Sequence, residues 1–101
     1  MEEVNKTVDK IRMRKAVAKV LRILRAKTGL SQEKLALHSE LDRTYIGLME
    51  REKRIPTLLT IFQLAPLFDI SPVDLVAAIH AEVEKDRLAS AENSSQEDLE
   101  Q

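Results

Sequence analysis

The stretch SQEKLALHSELDRTYIGLMER, residues 31–51, decides the fold, because it predicts two short helices joined by a tight turn. Ser31 is placed as an N-cap. Its hydroxyl can accept from a free backbone amide of the first turn, and Leu35 with Ala36 then forms a small inward face. The first of these helices is expected over about 32–38. Asp42 repeats the signal, since a carboxylate both caps free amides and suits the positive end of a helix dipole. A second helix follows over roughly 43–51. Ile46 and Met49 fall on its inward side, while Arg43, Thr44, Gly47 and Leu48 or Arg51 face outward. An outward, polar N-terminus is what a helix needs to enter the groove of a DNA duplex.

Working outward, Gly29 suits a left-handed C-cap, so the preceding helix is expected to end near Thr28, with Val17, Val20, Leu21 and Leu24 as its core stripe. Thr57, after Pro56, is the next N-cap and opens a helix whose Leu58, Ile61, Phe62, Leu64 and Ala65 are expected to be largely buried. Pro66 removes a backbone donor and clashes with the preceding turn, at about 3 kcal/mol in an ideal helix, so a kink or an early end is expected there. Ser71-Pro72-Val73-Asp74 starts a fifth helix, with proline at the favoured first position and Asp74 placed to return a capping bond. That helix continues through Leu75, Val76, Ile79 and Val83 and loses its apolar spacing near Arg87. From residue 90 the chain reads SAENSSQEDLEQ, too polar and acidic to offset the entropy of ordering, and is expected to be a disordered tail.

The chain has 101 residues, 44% of them hydrophobic, with two glycines, three prolines and no cysteine. That length supports one compact domain, and the composition favours helix throughout. Without cysteine there is neither a disulfide framework nor a thiolate metal site, which points to the cytoplasm. No apolar run approaches the ~20 residues of a membrane span, and the N-terminus lacks the apolar core of a signal peptide. The net charge of −1 hides a strong segregation. Residues 1–60 carry 14 Lys and Arg against 8 Asp and Glu, a net +6, and residues 61–101 carry 2 against 9, a net −7. Such asymmetry is a pointer to a polyanionic partner, because phosphate neutralisation supplies most sequence-independent affinity; a solvated helix surface is the plainer account of the same charges.

Residues 21–75 resemble the lambda-repressor-like, or XRE, helix-turn-helix family. The resemblance rests on the LRILR run, the SQEKLA opening of the second helix, the Tyr45-Ile46 pair in the third, and Pro56 ahead of a leucine-rich helix. DRTYIGLMER is similar to the same region of restriction-modification controller proteins, small dimeric regulators of that family. The implied fold is all-α: a five-helix helix-turn-helix domain over 15–89, preceded by a helical extension over 1–14 and followed by the tail over 90–101. Glu40 departs from the pattern, standing where the family has Gly or Asn in the turn between the second and third helices; if the position needs a positive φ, glutamate is costly there.

Arg43 and Thr44, at the start of the proposed recognition helix, are the leading base-contacting candidates. Arginine can pair bidentately with a guanine edge, and threonine offers a hydroxyl and a methyl; as plain solvent-facing residues they would do neither. Gly47 lies one turn on, where a missing side chain permits close approach to DNA, although packing explains it as well. Tyr45 can rest on the sugar-phosphate backbone or cover the inter-helix core. Gln32 is similar to the family's backbone-gripping glutamine, and Lys53 and Arg54 face either phosphate or solvent. Leu48 and Arg51 complete the expected DNA-binding set. The resemblance places Arg25 and Glu50 as an ion pair bracing the first helix against the third, a structural role. His38 and His80 have no zinc-ligand spacing around them, so neither a metal nor a cofactor is implied. With no nucleophile motif, glycine-rich phosphate loop or paired carboxylates, the chain does not read as an enzyme. Tyr45, Phe62 and Phe68 are the only aromatics, and the last two read as core, so double-stranded DNA suits better than single strands.

Two functions follow. The first is a homodimeric transcription regulator reading a palindromic operator with two copies of the helix over 43–51. The second is a protein-interaction module, such as an antitoxin or adaptor, holding a protein partner through the same fold. The dimer is expected to use Val76, Ile79 and Val83, and also the N-terminal extension. At about 100° per residue, Val4, Val8 and Ile11 fall opposite Val17, Val20, Leu21 and Leu24. Either the chain bends between Ile11 and Val17 or the early stripe packs on another molecule; with no Gly or Pro there to bend it, packing on the other subunit is the preferred reading.

Overall fold

The computed structural model describes the backbone of residues 2–100 and the side chains of residues 9–91. Five α-helices follow one another: α1 Glu2–Thr28, α2 Gln32–Ser39, α3 Arg43–Glu50, α4 Leu58–Leu64 and α5 Pro72–Glu100, with a 3-10 turn at Ala65–Phe68 before the last. Among the described residues there is no strand.

Most helix starts are made by the side chains that the sequence nominates. Ser31 Oγ accepts from the Lys34 amide at 3.1 Å, Asp42 Oδ1 from Thr44 at 2.7 Å, Thr57 Oγ1 from Thr60 at 3.1 Å and Ser71 Oγ from Asp74 at 3.0 Å. Each satisfies an amide that the helix itself cannot. Asp74 returns no bond, so this last start is a simple cap rather than a reciprocal box. Gly29, at φ 73°, closes α1 with its amide bonded to Arg25 O at 3.1 Å.

The other helix exits use left-handed residues that are not glycine: Glu40 (φ 63°), Glu52 (φ 64°) and Asp69 (φ 56°). The turn after α3 shows why the conformation is held. Lys53 N–H donates to Leu48 O at 2.8 Å and Glu52 N–H to Met49 O at 3.2 Å, the paired bonds of a Schellman cap, which satisfy two terminal carbonyls. Pro66 acts as its chemistry requires. α4 stops at Leu64 and the chain tightens into the 3-10 turn containing the proline.

The core is a single cluster. α1 contributes Ala16, Val17, Val20 and Leu21, α2 Leu35 and Ala36, α3 Ile46 and Met49, α4 with its 3-10 turn Ile61, Leu64, Ala65 and Phe68, and α5 Leu75 and Ile79. Leu58 and Phe62, expected inside, are 70% and 56% exposed. They are one turn apart on the edge of α4 that turns away from the cluster, because α4 is apolar around most of its circumference and can bury only one side.

α1 and α5 lie antiparallel. Arg12 Nε pairs with Asp86 Oδ2 at 2.9 Å and, seven residues further along α1, Lys19 Nζ pairs with Glu82 Oε2 at 3.0 Å. The Lys19 ammonium holds the Glu82 carboxyl below its usual range, against the small opposing effect of burial. α1 runs unbroken, as the absence of Gly and Pro implies, and from Arg12 onward it packs on its own α5. Ile11 is 47% exposed; the side chains of Val4 and Val8 lie outside the described residues. The backbone of α5 is helical to Glu100; the side chains of residues 92–100, within the stretch expected to be a tail, lie outside the described residues.

Candidate nucleic-acid interface

Capping by Asp42 brings α3 to the surface with its first residues outward. Ile46 and Met49 are buried beneath it, at 1% and 0% exposure, which fixes the helix by its apolar side and leaves Arg43 and Thr44 exposed. Arg43, Thr44, Gly47 and Arg51, joined by Gln32 from the start of α2, line one shallow recess of about 190 Å³. Five of the residues nominated from the sequence are therefore neighbours in space. Lys53 and Arg54 are exposed in the turn that follows, and Leu48 is half-buried.

Behind this face stands a buried brace. Glu50 is 5% exposed, and its carboxylate accepts from Arg25 Nε at 2.7 Å and Nη2 at 2.9 Å, the fork-on-fork geometry that arginine provides and lysine does not. Gln32 Nε2 donates to the same carboxylate at 3.1 Å, and Arg22 Nη1 donates to the Glu50 backbone carbonyl at 2.6 Å. Burial pushes the Glu50 carboxyl up, but the bonds from Arg25 and Gln32, with the charges of Arg25 and Arg22, outweigh it and hold the group below the usual range. The Arg25 guanidinium is correspondingly raised, chiefly by its bonds to Glu50. No described buried side-chain nitrogen or oxygen lacks a partner. The brace joins three helices through one carboxylate, so the angle of α3 and the aim of Gln32 are set together.

Tyr45 resolves toward the interior. Its hydroxyl accepts from the Thr57 amide at 3.3 Å and lies 3.2 Å from Thr60 Oγ1, tying α3 to the start of α4. Gly47 resolves unexpectedly. A Cβ built on it would lie 3.0 Å from Arg51 Nη1 and 3.6 Å from Gln32 Oε1, so the space that the sequence reading left for DNA holds the Arg51 guanidinium. His38 and His80 are exposed, and among the described residues no group of three metal-type side chains converges.

A second feature lies between α1, α4 and α5. An open apolar groove of about 470 Å³ is lined by Met13, Ile55, Leu58, Val76 and Val83, among others. Val76 is 47% exposed, whereas Ile79, expected on the same outward face, is 7% exposed and occupied in the core. Sequence reading missed Ile55 and Leu58 as surface residues, and the signal was there: IPTLLTIF, residues 55–62, is apolar on too many sides to be buried on all of them. It also missed Arg22, whose role depends on a carbonyl 28 residues away. No single described helix is long and apolar enough to cross a membrane.

Comparison with known proteins identifies the family of the fold. Residues 21–75 match the helix-turn-helix family model. An uncharacterized HTH-type transcriptional regulator of Sinorhizobium fredii is 38% identical over 64 residues, covering 63% of this chain and 83% of that protein. Control protein C.BamHI of Bacillus amyloliquefaciens is 40% identical over 58 residues, covering 57% and 72%. Among solved structures, the restriction-modification controller protein C.AhdI from Aeromonas hydrophila superposes with a TM-score of 0.56 at 43% identity, over 67% of this chain and 97% of that one. The chain belongs to the XRE, lambda-repressor-like helix-turn-helix family of DNA-binding transcription regulators.

Proposed function

We propose that this chain acts as a homodimer on a palindromic operator, placing α3 of each subunit in one of two successive major grooves. The observation that carries the reading is the convergence of Gln32, Arg43, Thr44 and Arg51 on one exposed recess, above a brace that fixes the angle of the helix. Base edges are read by Arg43 and Thr44, phosphates by Gln32, Lys53 and Arg54. The likeness to the controller proteins C.BamHI and C.AhdI supports a regulator of that kind.

Dimerisation is supported by the apolar groove, which Leu58, Val76 and Val83 line and which leaves large hydrophobic side chains in water. A contiguous apolar patch on a small monomer marks an interaction surface. A second copy satisfies it symmetrically and presents two recognition helices on the same side of the duplex, with half-site centres about 34–36 Å apart. Selection of bound duplexes from a random pool, followed by sequencing, tests the reading: a two-fold symmetric consensus is expected, and recovery of no consensus overturns it.

A further inference from the structure

Glycine inside a helix is destabilising relative to alanine, because it gives up more conformational freedom and packs nothing. Gly47 is the only glycine within α3, and its φ is not in the left-handed region, so backbone conformation does not call for it. What the position does is admit Arg51. Residues four apart lie on the same side of a helix, and long side chains lean back over the preceding turn. Arg51, at the C-cap of α3, accordingly folds back across Gly47, its Nη1 3.0 Å and its Cζ 3.7 Å from where a Cβ would stand. A methyl group there would stand in tight contact with the guanidinium, which would have to shift by a few tenths of an ångström from its place over Gly47.

The charges around the recess support a task for that guanidinium outside the chain. Glu50 is engaged by Arg25 and Gln32, Arg43 has only a loose 3.7 Å contact with Glu33 between two exposed side chains, and among the described residues Arg51 pairs with no carboxylate. Two arginines therefore line one polar recess, and among the described residues only the loose Glu33 contact to Arg43 offsets their charge.

We propose that Gly47 serves Arg51 and not the close approach of DNA: the missing Cβ lets the Arg51 guanidinium lie on the outward face of α3 beside Arg43, where it is a second arginine reader of the duplex. This deepens the DNA-reading function proposed above and rests on it. The acceptor is a guanine edge or a phosphate oxygen, both of which present paired acceptors to a guanidinium.

A double-mutant cycle on the duplex selected by the native chain tests it, with Arg51→Ala, Gly47→Ala and the double variant titrated against that duplex and a scrambled one. Arg51→Ala should weaken binding to the selected duplex about ten- to a hundredfold. Gly47→Ala should weaken it in the same direction while leaving the melting temperature equal or higher, since alanine is the better helix former. The double variant should bind as Arg51→Ala does, to within about twofold. A relaxed base preference in Arg51→Ala identifies the guanine edge, and a salt slope reduced by about one identifies phosphate; either supports the assignment. Full affinity in Gly47→Ala would show that the missing Cβ is not needed, and losses that multiply in the double variant would show that the glycine acts without Arg51; either overturns the proposal while sparing the operator reading. Recovery of no duplex by the native chain overturns both.

Discussion

Replacing Arg25 with alanine removes one side of the buried brace and leaves the other in place. The Glu50 side chain is 4% exposed and takes three side-chain hydrogen bonds, two of them from Arg25. After the substitution a carboxylate shut off from water keeps only the bond from Gln32. Breaking one side of a buried ion pair costs about 3–5 kcal/mol. Because the Arg25 side chain is 25% exposed and Gln32 remains, the loss belongs at the low end, about 3 kcal/mol, which lowers the melting temperature of a domain this size by about 12–24 °C. The pH dependence discriminates this cause from lost packing. In the native chain Glu50 sits below its ordinary value of 4.5, so its contribution is complete above that pH and is lost as pH falls through the folded value. In Arg25→Ala burial is opposed only by the Gln32 bond and the Arg22 charge, so the carboxyl rises relative to the native chain and the variant loses less stability on acidification. The two stability curves therefore converge as pH falls. Urea denaturation followed by helical circular dichroism, between about pH 7 and about pH 4, measures the gap. A gap under about 1 kcal/mol at neutral pH, the value of an exposed pair, or one that stays constant on acidification, refutes the reasoning.

Arg43→Ala should weaken binding to the selected duplex by about 1–3 kcal/mol and relax preference at one base pair per half-site; equal losses on the selected and scrambled duplexes would make Arg43 a phosphate contact instead. Glu52 holds a φ of 64° that costs a residue with a Cβ about 1–2 kcal/mol. Part of that is returned to the more flexible unfolded chain, so Glu52→Gly should stabilise the fold by about 0.5–1 kcal/mol in thermal denaturation, and a lower melting temperature would show that the glutamate side chain makes a stabilising contact. Val76→Lys places a charge in the apolar groove, where burying a valine is worth about 1.5–3 kcal/mol. The proposed dimer should dissociate at least about tenfold more readily in light scattering across a dilution series, with unchanged helical content, and an unaltered dissociation constant would move the interface elsewhere.

What was legible in the chain was the part whose chemistry is local. A serine, aspartate or threonine caps an amide two or three residues away, so Ser31, Asp42, Thr57 and Ser71 announce their helices without help from the rest of the molecule, and Pro66 ends α4 by steric conflict with its own turn. Apolar spacing likewise sorts Ile46 and Met49 from Arg43 and Thr44, since that distinction needs only one turn of helix. The same spacing is silent on Leu58 and Phe62. It reports that α4 is apolar, and which of its apolar edges is covered depends on how many neighbours the fold supplies. The site divides in the same way. Its residue types lie in one stretch, but its geometry is set by Gln32 on Glu50 across 18 residues, Arg25 on Glu50 across 25 and Tyr45 on Thr60 across 15, separations that leave no periodic trace.

Gly47 shows how far that division reaches into function. From the sequence a glycine on the outward face of a recognition helix is a gap, and a gap invites the ligand. In the folded chain the gap is filled by a side chain only four residues on, near enough for the contact to have been foreseen. The obstacle was direction: Arg51 can extend into solvent or fold back across the helix, and the spacing permits both. Its position over Gly47 beside Gln32 brings the guanidinium into the recess that Arg43 and Thr44 already line. Since Gln32 is held by the carboxylate that also receives Arg25, one wall of that recess is fixed by the same brace that sets the angle of α3. A substitution at Glu50, which is itself buried, should therefore alter the reading face and the fold together, whereas one at Gly47 should alter the reading face alone.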